Sequence, residues 1–296
     1  MYKRQVWTSE PEFTDLGYEA PSDWESLMAL ADRIVADGRA PFCLGLESGG
    51  PANGWPATDW VEMVVLRSAG PEFYEDWTHH DVPFDDPAVV DAIRTVGEMV
   101  HRPGFLDIEP EAAAERSWAD ALYGLTAQPE SCLMTPFPSF MPATIGADAG
   151  LPVGNFPFPT FGSGFDDAVV GGGSFAVAVT DRPEVRSLMM ALASPDWGLG
   201  TAQRHWGMLP ANTRFDTTKF ANPEMAEMVA GVQEAIRADN LRFDASDNMP
   251  SEIGSNAFLD GMERLFRDGS PENLDQLSFD IAHEIEVAWL ELEAPD

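Results

Sequence analysis

The sequence predicts an α/β protein with many helices and few strands. Residues 21–38, PSDWESLMALADRIVADG, place apolar side chains at the spacing of an amphipathic helix. Two short apolar runs, PFCLGLE (41–47) and SCLMTPF (131–137), are typical of buried strands. The length of 296 residues and the 44% hydrophobic content allow a sizeable core, and we find neither a fixed-period repeat nor a clean linker between domains.

The helix at 21–38 carries signals at both ends. Ser22 and Glu25 have the spacing of a capping box, in which each side chain satisfies a backbone amide at the helix start. Gly38 follows the last apolar position, where a glycine commonly ends a helix.

The next elements are a strand, a loop and two helices. The strand at 41–47 leads into a loop rich in glycine, proline and asparagine, and a helix then runs to about residue 68. A further helix is predicted over 86–104, with Asp86 as N-cap and Pro87 as its first residue.

The second half begins with a helical stretch at 114–125 and the strand at 131–137. Residues 151–173 are rich in proline, glycine and phenylalanine, which predicts extended chain that is neither helix nor regular strand. SFAVAVT (174–180) predicts a third strand, and the rest of the chain reads as helical.

The charge excludes some partners. Lys and Arg total 17 against 50 Asp and Glu, a net charge of -33. Such a surface repels phosphates and anionic lipids, so we expect no nucleic-acid partner. No apolar run approaches the roughly 18 residues of a membrane span, so no direct membrane insertion is expected. Residues 5–13 contain no apolar stretch of a signal peptide, and the sequence on its own predicts a cytoplasmic protein.

The motifs of common catalytic sites are missing from the sequence. His79 and His80 are adjacent and their rings diverge, while the other histidines have no partner three or four residues away, so no metal ligand set and no cofactor are predicted. The sequence holds no G-x-S-x-G, P-loop or G-x-G-x-x-G motif. Glycoside hydrolysis needs two facing carboxylates, but among 50 acids any chosen pair carries little information.

Aromatic residues in loop-like segments offer a different chemistry. Aromatic faces match the C–H face of a sugar ring, and carboxylates accept hydrogen bonds from its hydroxyls. Any single ring is more often part of the core, but Trp55 follows a Gly-Pro-Ala-Asn-Gly loop and is the first we would assign to a ligand. The set is Trp55, Trp60, Phe137, Phe140, Phe156, Phe158 and Trp206.

Three segments carry a family resemblance, at residues 24–74, 171–198 (GGGSFAVAVTDRPEVRSLMMALASPDWG) and 242–262 (RFDASDNMPSEIGSNAFLDGM). Together they closely resemble the extracellular solute-binding proteins of carbohydrate ABC transporters, most of all the α-glucoside-type branch, with maltose-binding protein a more distant relative. The resemblance implies a two-lobed α/β clamshell that holds a sugar between its lobes. It implies no catalytic residue, delivery of the sugar to the transmembrane subunits of an ABC permease, and a periplasmic or extracellular location.

The resemblance also assigns site residues. The loop from Glu47 to Asp59 would lie at the mouth of the cleft, with Trp55 as a stacking platform. One departure is Leu259, which stands where relatives commonly have a stacking tryptophan. The implied ligand-binding set is Glu47, Trp55, Asp59, Phe137, Phe140, Gly172, Trp206 and Asp247.

The resemblance divides the chain into three parts. Residues 1–40 would be a remnant of the first lobe and the crossover, 41–180 the α/β core of the second lobe with its cleft loops, and 181–296 a helical part that packs on both lobes. Because the family is longer at its N-terminal end, we expect this sequence to lack much of the first lobe. Two alternatives stay open, a glycoside hydrolase that uses acids such as Glu47 and Asp59, and a truncated remnant that binds nothing.

The two cysteines could pair. Cys43 and Cys132 lie in the two predicted apolar strands, and neighbouring strands bring opposite Cβ atoms to about 4.5–5.5 Å, close to the disulfide range. A disulfide and two buried free thiols are both compatible with the sequence.

Overall fold

A computed structural model describes residues 5–10, 12–127, 129–145, 153–203 and 209–294. Within them, the chain forms five short strands and fourteen α-helices. The strands are β1 (Gln5–Ser9), β2 (Met134–Pro136), β3 (Val153–Pro157), β4 (Val169–Gly171) and β5 (Leu241–Phe243). The helices are α1 (Glu12–Asp15), α2 (Trp24–Ala36), α3 (Trp55–Ala69), α4 (Pro71–Thr78), α5 (Pro87–Val100), α6 (Pro110–Glu115), α7 (Trp118–Leu122), α8 (Met141–Thr144), α9 (Pro183–Leu192), α10 (Leu199–Ala202), α11 (Pro223–Arg237), α12 (Ala245–Asn248), α13 (Phe258–Asp268) and α14 (Leu274–Glu293).

Two small sheets organise the described chain. In the first, β1 lies between β2 and β3 and is antiparallel to both, with Val6 opposite Pro136 on one side and Phe156 on the other. In the second, β4 and β5 are parallel, with Val170 opposite Arg242. The sequence did not predict β1, which nevertheless forms the centre of the larger sheet.

Strand β1 separates two apolar cores. Successive side chains of a strand point to opposite faces, and Val6 and Trp7 accordingly belong to different clusters. The Val6 cluster contains the inner faces of α2, α3, α5, α13 and α14. The Trp7 cluster contains the two cysteines, Phe137 and the apolar side of α11.

Two predicted helices form with adjusted ends. Helix α2 begins at Trp24, so its N-cap is Asp23 and not Ser22, and the capping box joins Asp23 with Ser26 instead of Glu25. Gly38 takes a left-handed φ of 81° directly after the C-cap, as predicted.

Helix α5 has the predicted cap but ends earlier. The Asp86 side chain accepts a hydrogen bond from the Ala88 amide, and Pro87 is the first helical residue. The helix stops at Val100, four residues before the predicted end, because Pro103 and the left-handed Gly104 cannot continue it.

The strand predictions need more correction. Residues 41–47 are buried and extended but form only isolated bridges, because they meet several different segments in turn. Residues 151–173 were predicted to lack strands, yet they contain β3 and β4. The predicted strand at 174–180 is wrong: in the described part of the chain no strand lies beside it, and a strand requires a partner for its backbone.

Candidate functional site

The loop at residues 47–54 is held by its own hydrogen bonds. The Glu47 carboxylate accepts from the Gly49 amide at 2.5 Å, and the Ser48 hydroxyl donates to the Ala52 carbonyl at 2.6 Å. The Gly54 amide donates to the Leu46 carbonyl at 3.0 Å and closes the loop. The loop therefore fixes where α3, and with it the indole of Trp55, begins.

Four aromatic rings meet beside this loop, and we call Trp55, Trp118, Phe137 and Phe140 the ring cluster. The Trp55 ring lies 5.2 Å from that of Phe137 and 5.7 Å from that of Trp118, measured between centroids. Trp118 stacks on Phe137 at 5.5 Å, and Phe140 lies 5.3 Å from Phe137. Phe137 is buried and the other three are half-buried, so Phe137 forms a floor with three partly exposed rings around it.

Sequence reasoning missed Trp118. It stands in an apolar helical stretch, where a tryptophan is usually a core residue. The backbone of Glu47 explains its place: the Glu47 amide donates to the Arg116 carbonyl and the Trp118 amide donates to the Glu47 carbonyl, each at 3.0 Å. The only sequence signal was Ser117 directly before the tryptophan, typical of a helix start.

Arg116 fixes this junction. Its guanidinium makes two 2.7 Å hydrogen bonds to the Asp107 carboxylate and also donates to the Leu44 carbonyl at 2.9 Å. Bidentate arginine–carboxylate pairs fix orientation as well as distance. Arg116 therefore holds the start of α7, and so Trp118, against the chain that leads to Glu47.

Phe137 is held from the other side. The Trp7 indole donates to the Phe137 carbonyl at 2.9 Å, and both residues are buried. A disulfide joins Cys43 and Cys132, whose Cα atoms lie 5.5 Å apart, so the disulfide alternative is confirmed and free thiols are excluded. The disulfide links residue 43 to the chain that enters β2, and Phe137 directly follows β2.

Asp59 lies one helical turn beyond Trp55 and lines a small crevice. The crevice contains about 270 Å³ of empty space, and its lining includes Asp59, Trp60, Phe137 and Phe158. Asp59 is 6% exposed, so it is buried in the wall of the crevice. Trp60 and Phe158 are core residues in the same wall.

Gly172 and Asp247 lie in two segments that meet, but neither residue lines the crevice. Gly172 is buried directly after β4, and Asp247 is exposed on α12. The two segments meet where the Asp244 amide donates to the Gly171 carbonyl at 2.9 Å. Trp206 lies outside the described residues.

A buried carboxylate holds α12 against α3. Glu62 accepts from the Tyr74 hydroxyl at 3.0 Å, from the Ala245 amide at 3.1 Å and from the Ser246 amide at 3.3 Å. Burial, together with the nearby carboxylates of Glu62 and Asp244, raises the pKa of the Tyr74 phenol well above its ordinary value. Tyr74 therefore stays protonated as the donor to Glu62.

A larger cleft among the described residues lies elsewhere. It contains about 1470 Å³ of empty space open to solvent, and its lining includes Gln5, Glu10, Tyr18, Asn155 and Glu227. Of the described residues in the predicted ligand-binding set, none lines it, although Phe156 of the aromatic set does. We place the candidate site at the smaller crevice nonetheless, because Phe137, the floor of the ring cluster, lines it together with Asp59.

The described part of the chain lacks a metal-ligand cluster and a helix that could span a membrane. No group of three or more His, Cys, Asp or Glu residues there could hold a metal ion. No helix in the same residues combines the length and the apolar character that crossing a membrane requires.

Comparison with curated sequences identifies related binding proteins. The chain is 32% identical over 299 residues to the alpha-glucosides-binding periplasmic protein AglE of Rhizobium meliloti. The aligned region covers 97% of this chain and 61% of AglE. It is 33% identical over 263 residues to the osmoprotective compounds-binding protein GgtB of Synechocystis, covering 88% of this chain and 61% of GgtB. The chain thus spans about three fifths of these relatives. A scan against protein-family models finds no match.

Solved structures of sugar-binding proteins share the fold. A chitin oligosaccharide binding protein superposes with a TM-score of 0.74 at 19% identity, over 99% of this chain and 71% of that structure. The solute receptor AcbH superposes with a TM-score of 0.71 at 18% identity, over 97% of this chain and 71% of that structure. RafE in complex with raffinose superposes with a TM-score of 0.65 at 16% identity, over 97% of this chain and 72% of that structure. These similarities confirm the predicted α/β clamshell class, and in sequence the chain is similar to periplasmic solute-binding proteins.

Proposed function

We propose that this chain forms the sugar-contacting part of the substrate-binding component of a carbohydrate ABC importer, for a neutral sugar such as an α-linked glucoside. The observation that carries the proposal is the ring cluster beside the crevice that contains Asp59. Relatives named for binding alpha-glucosides, raffinose and chitin oligosaccharides support the same ligand class.

The ring cluster suits a sugar in both shape and chemistry. The half-buried indoles of Trp55 and Trp118 and the ring of Phe140 offer apolar area around the floor of Phe137. A pyranose can place its C–H face on such rings. Its hydroxyls can then donate to acceptors at the edge of the cluster, and we assign this role to Glu47 and Asp59.

Gly172, Asp247 and Trp206 complete the proposed set with less support. Gly172 and Asp247 lie in segments that a hydrogen bond from the Asp244 amide to the Gly171 carbonyl joins, and we assign them to a second contact region for a ligand longer than one sugar ring. Trp206 rests on the family resemblance alone. The division into parts at 1–40, 41–180 and 181–296 likewise stays a prediction.

The crevice alone is small for this ligand class. Ligand sites typically measure about 300–1,000 Å³ and enclose about 70–90% of the ligand surface, whereas the cavity volume of the crevice is only about 10 Å³. Hydrogen bonds on an open shelf compete with water and contribute little net free energy. We therefore expect residues 1–296 to bind sugar weakly, with millimolar dissociation constants or none measurable.

The glycoside hydrolase alternative predicts turnover instead of binding. It would require two carboxylates that face one glycosidic bond. One Glu47 oxygen already accepts from the Gly49 amide, and Asp59 is buried in the wall of the crevice, so neither observation favours this chemistry. Related proteins are named as binding proteins.

The experiment measures binding and turnover together. Maltose and trehalose are titrated into the protein at high concentration with calorimetric detection, and the same mixtures are incubated and examined by chromatography for glucose. We expect weak saturable binding without glucose. Substituting Trp55→Ala removes one stacking ring, which should cost about 1–3 kcal/mol of binding free energy, the range for an aromatic-sized apolar group.

Trp197→Ala is the matched control because Trp197 is exposed and lies outside the ring cluster. Its affinity should equal that of the unaltered protein. Equal affinity in the Trp55→Ala variant, at an unchanged melting temperature, would refute the proposed role of Trp55. Release of glucose in proportion to time would favour the hydrolase.

We also propose a periplasmic or extracellular location and contact with the transmembrane subunits of an ABC permease. The disulfide supports the location, because such bonds persist in oxidising compartments. Alkylation of free thiols in cells of the native host, before lysis and without reductant, tests it. Labelling of Cys43 or Cys132 would contradict this location.

A further inference from the structure

The disulfide between Cys43 and Cys132 lies in the core against which the ring cluster packs. Both cysteines are buried and belong to the same apolar cluster as Phe137. Trp55 and Trp118 pack against that apolar cluster as partly buried residues. The disulfide is therefore close to the inner side of the proposed site.

One side of the disulfide meets the segment that carries Trp118. Helix α7 begins at Trp118 and continues into a 3-10 turn, Tyr123–Leu125, that contains the buried Gly124. A Cβ atom built on Gly124 would collide with the Cys43 sulfur and with the Ser131 hydroxyl. The backbone of Gly124 therefore lies against the sulfur with no room for even a methyl group.

Ser131 connects the Cys43 sulfur to the arginine at the start of α7. The Ser131 hydroxyl lies 3.6 Å from this sulfur and donates to the Asp107 carboxylate at 3.2 Å. The Ser131 amide donates to the Gly124 carbonyl at 3.0 Å. Asp107 is in turn the bidentate partner of Arg116. Both ends of α7 are therefore tied to the surroundings of the disulfide.

The other side of the disulfide meets the strand that leads to Phe137. The Cys43 amide donates to the Met134 carbonyl at 3.1 Å, and the Thr135 hydroxyl donates to the Cys43 carbonyl at 2.9 Å. Phe137 directly follows this strand, β2, and its ring stacks on that of Trp118 at 5.5 Å. The disulfide thus lies between the two chain segments whose rings stack.

We propose that the disulfide is a positioning group that keeps the rings of Trp118 and Phe137 stacked. Its consequence for binding rests on the proposed function: the oxidised protein binds sugar more tightly than the reduced protein. The positioning itself rests on contacts between described residues and can be tested without sugar.

Reduction breaks the bond between the two sulfur atoms. A dithiol reductant gives up two electrons and two protons and becomes a cyclic disulfide, while Cys43 and Cys132 become thiols. Unbonded sulfur atoms cannot stay at covalent distance, so the reduced pair needs more room than the disulfide. Because the core is close-packed and Gly124 leaves no room, the Cys43 thiol displaces Gly124 and, with it, the segment that begins at Trp118.

The first test follows the tryptophans by near-UV circular dichroism. Protein reduced in urea and refolded with dithiothreitol is compared with the oxidised protein, under conditions in which far-UV spectra show both to be folded. The long-wavelength indole bands, where a disulfide contributes little, should change on reduction. The chain contains nine tryptophans, so the change has to be assigned. Trp118→Phe should lose most of it, whereas Trp197→Phe, outside the ring cluster, should keep it.

A second test displaces the same segment without reduction, and it decides the proposal alone if the reduced protein does not refold. Gly124→Ala places a methyl group against the Cys43 sulfur and should reproduce the indole change in the oxidised protein. Gly97→Ala is the matched control, because its added Cβ would collide with the Leu274 side chain, and neither glycine has a positive φ. The control should lower the urea midpoint but leave the indole bands unchanged.

The third test concerns the sugar. Maltose and trehalose are titrated into oxidised and reduced protein, and the dissociation constant should rise about three- to tenfold on reduction, the effect of losing one aromatic stacking arrangement. In Trp118→Ala, reduction should have little further effect, because the ring that it displaces is already absent. If neither redox state binds either sugar, the proposed function fails, and the indole spectra alone decide the positioning role.

The opposite results would overturn the proposal. Identical indole bands in the folded oxidised and reduced proteins would do so, as would a redox-dependent change that persists in full in Trp118→Phe. Unaltered bands in oxidised Gly124→Ala would show that the segment against the disulfide does not control Trp118. Equal dissociation constants in the two redox states, where sugar binding is measurable, would likewise overturn it.

Discussion

Gly54 lies against the carbonyl of Leu259: a Cβ atom built on Gly54 would be 2.6 Å from that oxygen. The contact joins the residue before α3 to the second residue of α13. Trp55 follows Gly54 directly, so the approach fixes the position of an indole in the ring cluster. Leu259 is also the position at which the family resemblance implies a stacking tryptophan, so that position lies next to the proposed site.

Gly54→Ala should destabilise the protein by about 1–3 kcal/mol or more, the range for a strained backbone position. Gly54 has a φ of 97°, which alanine rarely adopts, and the added Cβ would also collide with the Leu259 carbonyl. Urea unfolding followed by circular dichroism measures the change. The matched control is Gly38→Ala, since Gly38 has a φ of 81° but no atom within 4 Å of an added Cβ. Equal losses in the two variants would show that the Leu259 contact contributes nothing.

Removal of the disulfide should lower the free energy of unfolding by about 2–5 kcal/mol, because the link between Cys43 and Cys132 closes a long loop in the unfolded chain. The Cys43→Ala/Cys132→Ala variant and the reduced unaltered protein should show similar urea midpoints. Adding reductant to the variant should change nothing. A variant as stable as the oxidised protein would contradict the expectation.

Arg116→Met should cost about 3 kcal/mol and alter the near-UV circular dichroism of the tryptophans. The substitution leaves the buried Asp107 carboxylate without its bidentate partner, and removing one side of a buried pair is strongly destabilising. The substitution also removes the contacts that hold the chain beside Trp118. The surroundings of the Trp118 indole should therefore change, and the near-UV spectrum with them. Arg186→Met is the control, because its ion pair with Asp181 is exposed and such pairs seldom contribute measurably. An unchanged near-UV spectrum in Arg116→Met would mean that Arg116 does not position Trp118.

Local signals predicted the helices well, and for a physical reason. The caps at Asp86 and Gly38 depend on side chains and φ values within a few residues, which the sequence displays directly. The predicted N-cap of α2, Ser22, was wrong by one residue, because Asp23 beside it is an equally good N-cap.

Strands and the ring cluster depended on partners that are distant in the sequence. Residues 174–180 have strand propensity, but a strand forms only beside another, and among the described residues none is there. Trp118 reaches the ring cluster because Glu47, 71 positions earlier, pairs with the backbone on both sides of Ser117. Trp55 and Phe137 were found only because loop position and family resemblance agreed.

His80 links the end of α4 to α14 and should make stability depend on pH. Its ring stacks on Trp289 at 4.4 Å, and its two nitrogens lie 3.0 Å from carboxylate oxygens of Glu286 and Glu293. Burial alone would lower the pKa of His80, but the hydrogen bonds to Glu293 and Glu286 outweigh it, and the pKa is raised. A raised pKa in the folded protein means that the stabilisation is fully present below the unfolded value of about 6.5 and is lost as pH rises through the folded value.

His80→Asn should therefore remove a decrease in unfolding free energy that the unaltered protein shows as pH rises above about 6.5. Asparagine tolerates the φ of 65° at this position, so the backbone strain stays small. His101 acts in the opposite direction, because burial lowers its pKa and its contribution increases with pH. The informative quantity is thus the difference between the unfolding free energies of unaltered protein and variant, measured by urea titration from pH 5.5 to 9. The exposed neighbour His79, replaced in His79→Asn, serves as the control for the loss of an imidazole beside α4. Parallel profiles for the unaltered protein and His80→Asn would show that the two glutamates do not hold a protonated imidazole.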